Sequence, residues 1–210
     1  MPKHRIIYFN ARGRAEPSRL VLSAAGVEFE DIRFTSEEWE TEKATGKYHF
    51  GQLPCMETDG VMLSQSRAIA RYLANEYGFA GRTNLEKAKV DIVMDTCEDL
   101  LQGMIKIHFE KDDAKKAELT TQYDKKVATT LASLEKMLTD NNGGDGFLVG
   151  DGVSLADLSF YSQMEYNLSS PILSSPNLLD SYPKLKALNA RVAALPNIAA
   201  WLEKRPKTEF

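Results

Sequence analysis

Every stretch of this chain that reads as a β-strand lies before residue 65, and from Asn84 onward only helical periodicity remains. A chain divided in this way cannot carry one sheet through its whole length. With 210 residues, either one large domain or two small ones could bury a core, and the asymmetry selects two. The expectation is an α/β domain over residues 1–79, a linker near Phe79 to Thr83, and an all-helical domain over 84–210.

Within the first part, Ile6-Ile7-Tyr8-Phe9 reads as a short buried strand. Ala15 to Ala25 follows with Leu20, Val21, Ala24 and Ala25 at helical spacing, and Gly26 stands where a helix stops. Glu28 to Phe34 fits a second strand, and a polar helix-like stretch surrounds Trp39 to Ala44. Cys55 to Thr58 and Val61 to Leu63 flank Asp59-Gly60, the two-residue turn of a type I′ hairpin. Ser66 is then placed to cap a helix running to about Tyr77. The order β-α-β, then β-β-α, is that of a thioredoxin-like domain with a mixed four-stranded sheet.

In the second part Val90, Val93, Cys97, Leu100, Leu101, Met104 and Ile107 keep to one helical face. Another long helix fits Ala114 to Leu138, stopped by Asn141-Asn142-Gly143-Gly144. Further on, Ser154 reads as an N-cap, with Asp157 three residues later reaching back to its amide in a variant of the capping box.

Charge and cysteine content narrow the function classes. Lys plus Arg number 26 against 30 Asp plus Glu, a net charge of -4 that disfavours nucleic acid or an anionic membrane surface as main partner. No window approaches the roughly 18 consecutive apolar residues of a membrane span, and the amino terminus does not read as a signal peptide. A soluble, cytoplasmic protein is expected. Cys55 and Cys97 are too few for a disulfide framework. His4, His49 and His108 lack ligand spacing, so no metal is expected.

The segment Tyr8-Phe9-Asn10-Ala11-Arg12-Gly13-Arg14-Ala15-Glu16-Pro17 joins a strand end to a helix start. A phenol placed there can donate a hydrogen bond to something bound in the turn. Pro54 stands at the start of a strand, either as an ordinary trans proline or as a cis one. A cis bond would leave the main chain of Leu53 to pair with an extended peptide ligand. Gln65-Ser66 lies where the hairpin passes into a helix, so the first amides there suit a carboxylate, whether or not Ser66 also caps. Trp39 and Lys43, one helical turn apart, are either exposed amphipathic surface or a carboxylate-holding pair. Together these features suggest a site for a peptide-like thiol held as its thiolate.

Tyr8 through Pro17, Gly51-Gln52-Leu53-Pro54, Gln65-Ser66, the two-part organisation and Ser154-Leu155-Ala156-Asp157 resemble cytosolic glutathione S-transferases over essentially the whole chain. Within that superfamily the chain is most similar to the sigma class, which includes cephalopod digestive-gland transferases, lens S-crystallins and haematopoietic prostaglandin D synthases. The resemblance implies that Tyr8 donates its hydroxyl hydrogen bond to the glutathione sulfur, with Arg14 supporting it by positive charge. It gives Trp39 and Lys43 to the glycine carboxylate, Gln52 to a contact near the glycyl end, and Leu53, with Pro54, to the cysteinyl backbone. Gln65 and Ser66 fall to the γ-glutamyl carboxylate, and Asp99 to the γ-glutamyl ammonium of the neighbouring subunit in a homodimer.

A hydrophobic electrophile would lie against Phe9, Gly13, Met104, His108, Phe160 and Tyr161. The acidic stripe Asp91, Asp95, Glu98 is expected to meet Arg67 and Arg71 across the two-fold axis. Related prostaglandin synthases hold a divalent cation among acids here, but Glu98 replaces an aspartate. The resulting expectation is an enzyme conjugating glutathione, its co-substrate, to hydrophobic electrophiles. A structural protein of S-crystallin type and a glutathione-dependent prostaglandin D isomerase are the alternatives.

Overall fold

A computed structural model describes residues 3–169 and 176–208. The four strands are β1 His4–Phe9, β2 Phe29–Phe34, β3 Cys55–Thr58 and β4 Val61–Ser64. The helices are α1 Glu16–Ala24, α2 Ser36–Ala44, α3 Ser66–Tyr77, α4 Asn84–Phe109, α5 Asp113–Asp140, α6 Leu155–Ser169, α7 Pro183–Ala193 and α8 Pro196–Lys204. By their internal contacts these form two compact units, one of Met1–Phe79 with Ala194–Phe210, the other of Ala80–Ala193. The closing helix α8 thus belongs with the sheet-containing unit. Among the described residues no helix is long and apolar enough to cross a membrane.

In the first unit the sheet order is β2-β1-β3-β4, with β1 parallel to β2 and the other pairs antiparallel. This is the expected thioredoxin-like mixed sheet. Its hairpin closes through Asp59 (φ 49°) and Gly60 (φ 78°), both in the left-handed region that a type I′ turn requires. Side chains alternate across β1 with period two. On one face Ile7, with Phe9, Ile32, Phe34 and Cys55, packs against Trp39 and Tyr48. On the other, His4 meets Tyr77 of α3 edge-on and Tyr8 lies under Arg19 of α1.

The helix starts follow local chemistry. Thr35 and Glu38 form a reciprocal capping box at α2, as Thr83 and Glu86 do at α4. The start of α3 differs from expectation. Its N-cap is Gln65, at φ 74° and ψ 109° with no side-chain capping bond, and Ser66 is the first helical residue.

Among its described residues the second unit contains helices and connecting turns and no strand. Helix α4 buries Val90, Val93, Cys97, Leu100, Leu101, Met104 and Ile107, the face the periodicity predicts. Helix α5 buries Tyr123, Val127, Leu131, Leu134 and Leu138. Both α4 and α7 pack on α6, which is buried on nearly every side. A helix so enclosed needs its amino-terminal polar groups satisfied internally. The Asp157 carboxylate accepts from the Ser154 amide (2.8 Å), the Ser154 hydroxyl (2.8 Å) and the Leu148 amide (2.7 Å). Burial pushes the Asp157 carboxyl up to about 6, against the pull of these donors.

Candidate active site

Strand register brings the candidate residues of the first unit to one edge of the sheet. Ile7 pairs with Cys55, and Cys55 with Ser64. The carboxyl end of β1, the start of β3 and the end of β4 therefore meet there, carrying Tyr8, Leu53-Pro54 and Gln65-Ser66. Because β2 runs parallel to β1, it leads into α2, with Trp39 and Lys43, at the same edge. The Leu53–Pro54 peptide is cis.

Tyr8 is buried, 9% exposed, and its ring contacts Phe9 edge-on. After β1 the chain turns through a short 3-10 segment, Gly13–Ala15, into α1, with Pro17 in the first helical turn. The amide of Arg14 donates to the Tyr8 hydroxyl oxygen at 3.4 Å. This hydrogen bond comes from the Arg14 main chain. The Arg19 guanidinium also approaches the ring, its carbon 5.9 Å from the centroid.

Arg19 is wholly buried, an anchor that sequence reasoning missed. Its Nη1 donates to the carbonyls of Ala11 (2.8 Å) and Arg12 (3.1 Å) and to Glu16 (3.3 Å), while its Nε donates to Asp31 on β2 (2.9 Å). Glu16, equally buried, also accepts from Trp201 (2.9 Å) and Arg205 (2.6 Å). Burial works against the Glu16 charge, yet Arg19, Arg205 and the indole N–H outweigh it and hold its carboxyl below the usual range. The Glu16/Arg19 spacing of three within a helix was the available signal for this pair.

Trp39 is buried in the α2-facing core, stacked on Phe34 and edge-on to Phe9 and Tyr48. It is not exposed amphipathic surface. Lys43, one turn on, is exposed, and its side-chain stem lies 3.3 Å from where a Cβ on Gly51 would stand. Lys43 is thereby brought to the segment Gly51-Gln52-Leu53-Pro54. Gln52 and Gln65 are exposed, while Leu53 and Ser66 are half-buried. A non-glycine residue at positive φ, as at Gln65, is held there by its surroundings, a feature common at ligand-binding positions.

In the second unit Met104 is buried, its sulfur accepting from Gln163 Nε2 at 3.4 Å. Phe160 is wholly enclosed and Tyr161 nearly so. His108 is exposed and stacks edge-on with Phe109. Asp99 is exposed on α4 and paired with Lys126 at 3.1 Å. Among the described residues no group of three or more His, Cys, Asp or Glu is placed to hold a metal ion.

A thioredoxin-like sheet with a tyrosine, a strand-leading proline and a helix amino terminus at one edge, followed by a helical unit, defines a class of thiol-handling proteins. Comparison with known proteins agrees. The family description "Glutathione S-transferase, N-terminal domain" matches residues 4–75, and "Glutathione S-transferase, C-terminal domain" matches residues 98–205. The chain belongs to the glutathione S-transferase family. It is 40% identical over 211 residues to S-crystallin SL11 of Nototodarus sloanii, covering 100% of each chain. It is 41% identical over 210 residues to hematopoietic prostaglandin D synthase of Gallus gallus, covering 99% of each. Among solved structures, "rat hPGDS complexed with a quinoline" superposes with a TM-score of 0.87 at 33% identity, with 100% of both chains covered.

Proposed function

We propose that this protein conjugates glutathione, bound as its thiolate, to hydrophobic electrophiles, with Tyr8 donating the hydrogen bond that stabilises the sulfur. The observation that carries the reading is the position of the Tyr8 phenol. It stands at the sheet edge shared with Leu53-Pro54 and Gln65-Ser66, its oxygen accepting from the Arg14 amide. Two strand spacings separate β1 from β4, roughly 10 Å, which is the reach of an extended tripeptide.

Within that span Tyr8 takes the sulfur and the Leu53 main chain pairs with the cysteinyl backbone. Gln65 and Ser66 take the γ-glutamyl carboxylate at the positive end of α3. Lys43, Trp39 and Gln52 serve the glycine carboxylate, a reading supported by the Lys43 stem lying beside Gly51. The protein acts as a homodimer in which Asp99 reaches the γ-glutamyl ammonium of the other subunit. Its exposure on α4 supports this role, and sedimentation velocity tests the dimer.

The energetics are sufficient. Holding a thiol of reference pKa about 8.5 mostly ionised at neutrality requires a shift of about two units, or ~2.7 kcal/mol. One hydrogen bond to a charged group supplies roughly 1.5–3 kcal/mol. A phenol that already accepts from an amide is a stronger donor through its own proton. Tyr8→Phe should therefore leave folding and glutathione affinity nearly intact and cut turnover of chlorodinitrobenzene about a hundredfold. Unchanged turnover would remove Tyr8 from the chemistry. Negligible turnover by the unaltered protein despite tight glutathione binding would instead favour an S-crystallin-like structural role.

A further inference from the structure

We infer that Gly13 is a positioning residue for the thiolate chemistry: the missing Cβ at this turn makes the slot in which the Tyr8 phenol is held. This rests on the reading of Tyr8 above. A Cβ built on Gly13 would fall 2.6 Å from both the Tyr8 hydroxyl oxygen and Cε1, and 3.0 Å from Cζ. Non-bonded carbon atoms settle at about 3.5–4.0 Å, so a side chain here and the phenol in its present place exclude one another.

The turn is not free to retreat. Arg19 fastens the carbonyls of Ala11 and Arg12, and its Nε is tied to Asp31, which pairs with Ile6 of β1 across the sheet. One buried guanidinium thus clamps the turn to the strand that bears the tyrosine. The ring is the part that must yield. The Arg14 amide reaches the phenol oxygen at 3.4 Å, near the outer limit of a hydrogen bond, so a displacement of about 1 Å breaks that contact. The same displacement removes the hydroxyl from the sulfur it serves. Gly13 accordingly acts through Tyr8.

Two effects of substitution need separating, because Gly13 also has φ +43°, where an L side chain is strained. Asn tolerates positive φ far better than Ala, yet both carry a Cβ. The test is ultraviolet titration of the bound glutathione thiol in wild type, Tyr8→Phe, Gly13→Ala, Gly13→Asn and the double variant Tyr8→Phe/Gly13→Asn. Circular dichroism and glutathione affinity are measured alongside.

The expected result is that both Gly13 variants raise the thiol pKa by about one to two units, as Tyr8→Phe does. The pH profile of kcat/KM should move by the same amount. In the Tyr8→Phe background Gly13→Asn should add nothing further, since no hydroxyl remains to be displaced. Wild-type thiol pKa in both Gly13 variants, with Tyr8→Phe still raising it, would overturn the inference and leave the function standing. An unmoved pKa in Tyr8→Phe would instead overturn the function, and the inference with it. A Gly13→Asn protein that fails to fold supports the inference if Tyr8→Ala/Gly13→Asn folds, and refutes it if that double variant fails too.

Discussion

Asp157→Asn offers a sharp test of how the buried start of α6 is held. The wild-type carboxylate is fully buried and takes three donors, the amides of Leu148 and Ser154 and the Ser154 hydroxyl. Asn keeps one acceptor oxygen for Leu148, but turns an NH2 toward the Ser154 amide. The hydroxyl can rotate to accept from that NH2; the amide cannot. One buried N–H left without an acceptor, facing another donor, costs about 2–3 kcal/mol. In a chain of this length that lowers the thermal midpoint by roughly 4–12 °C.

The pH dependence is more discriminating. The carboxyl is raised from 3.8 to about 6 in the folded protein, so between those values the native state binds more protons than the unfolded one. The Asp157 contribution to stability is therefore fully present below about pH 4 and declines as pH rises to about 6, by about 3 kcal/mol in all. Asn cannot titrate. Urea unfolding of both proteins across this window should show the wild type's advantage over Asp157→Asn shrinking by about that amount. Other titrating groups cancel in the difference. An advantage that stays flat or grows with pH would show that the three donors, and not burial, govern this carboxyl.

Gly103→Ala opposes helix propensity to packing. Alanine favours a helix by about 1 kcal/mol over glycine, but a Cβ at 103 would lie 2.7 Å from Tyr123 Cδ2, beside the Tyr123–Asn167 hydrogen bond. Overpacking of this kind costs about 1–3 kcal/mol, so the thermal midpoint should fall; a rise would mean that the Tyr123 ring moves freely. Lys43→Ala should raise the KM for glutathione about fivefold, a loss of ~1 kcal/mol for an exposed charge, while leaving kcat unchanged. Loss of kcat at constant KM would move Lys43 out of ground-state binding.

What the sequence disclosed was mainly local. Asp59-Gly60 declares its turn because few dipeptides accept two positive φ values, and Ser154 with Asp157 declares a helix start because both partners lie within one turn. The buried stripe of α4 follows from periodicity alone. The rest depends on partners distant along the chain. Glu16 and Trp201 are 185 residues apart, and nothing near either predicts that α8 packs against α1. Trp39 was ambiguous because it is the one aromatic in the charged stretch Ser36–Ala44, so no apolar stripe marks the buried side. Tyr8 was legible as a phenol at a strand end. The slot at Gly13 and the Arg19 clamp behind it were not, since both exist only once β1, β2 and α1 come together.

The proposed chemistry stands on the phenol at the end of β1 favouring ionised sulfur. The most direct measurement is the acid–base titration of glutathione's thiol on the unaltered protein, followed through the ultraviolet absorption of the thiolate. The expected midpoint lies about two units below that of free glutathione, returning toward the free value in Tyr8→Phe. A bound tripeptide that titrates like the free one in wild type would contradict it.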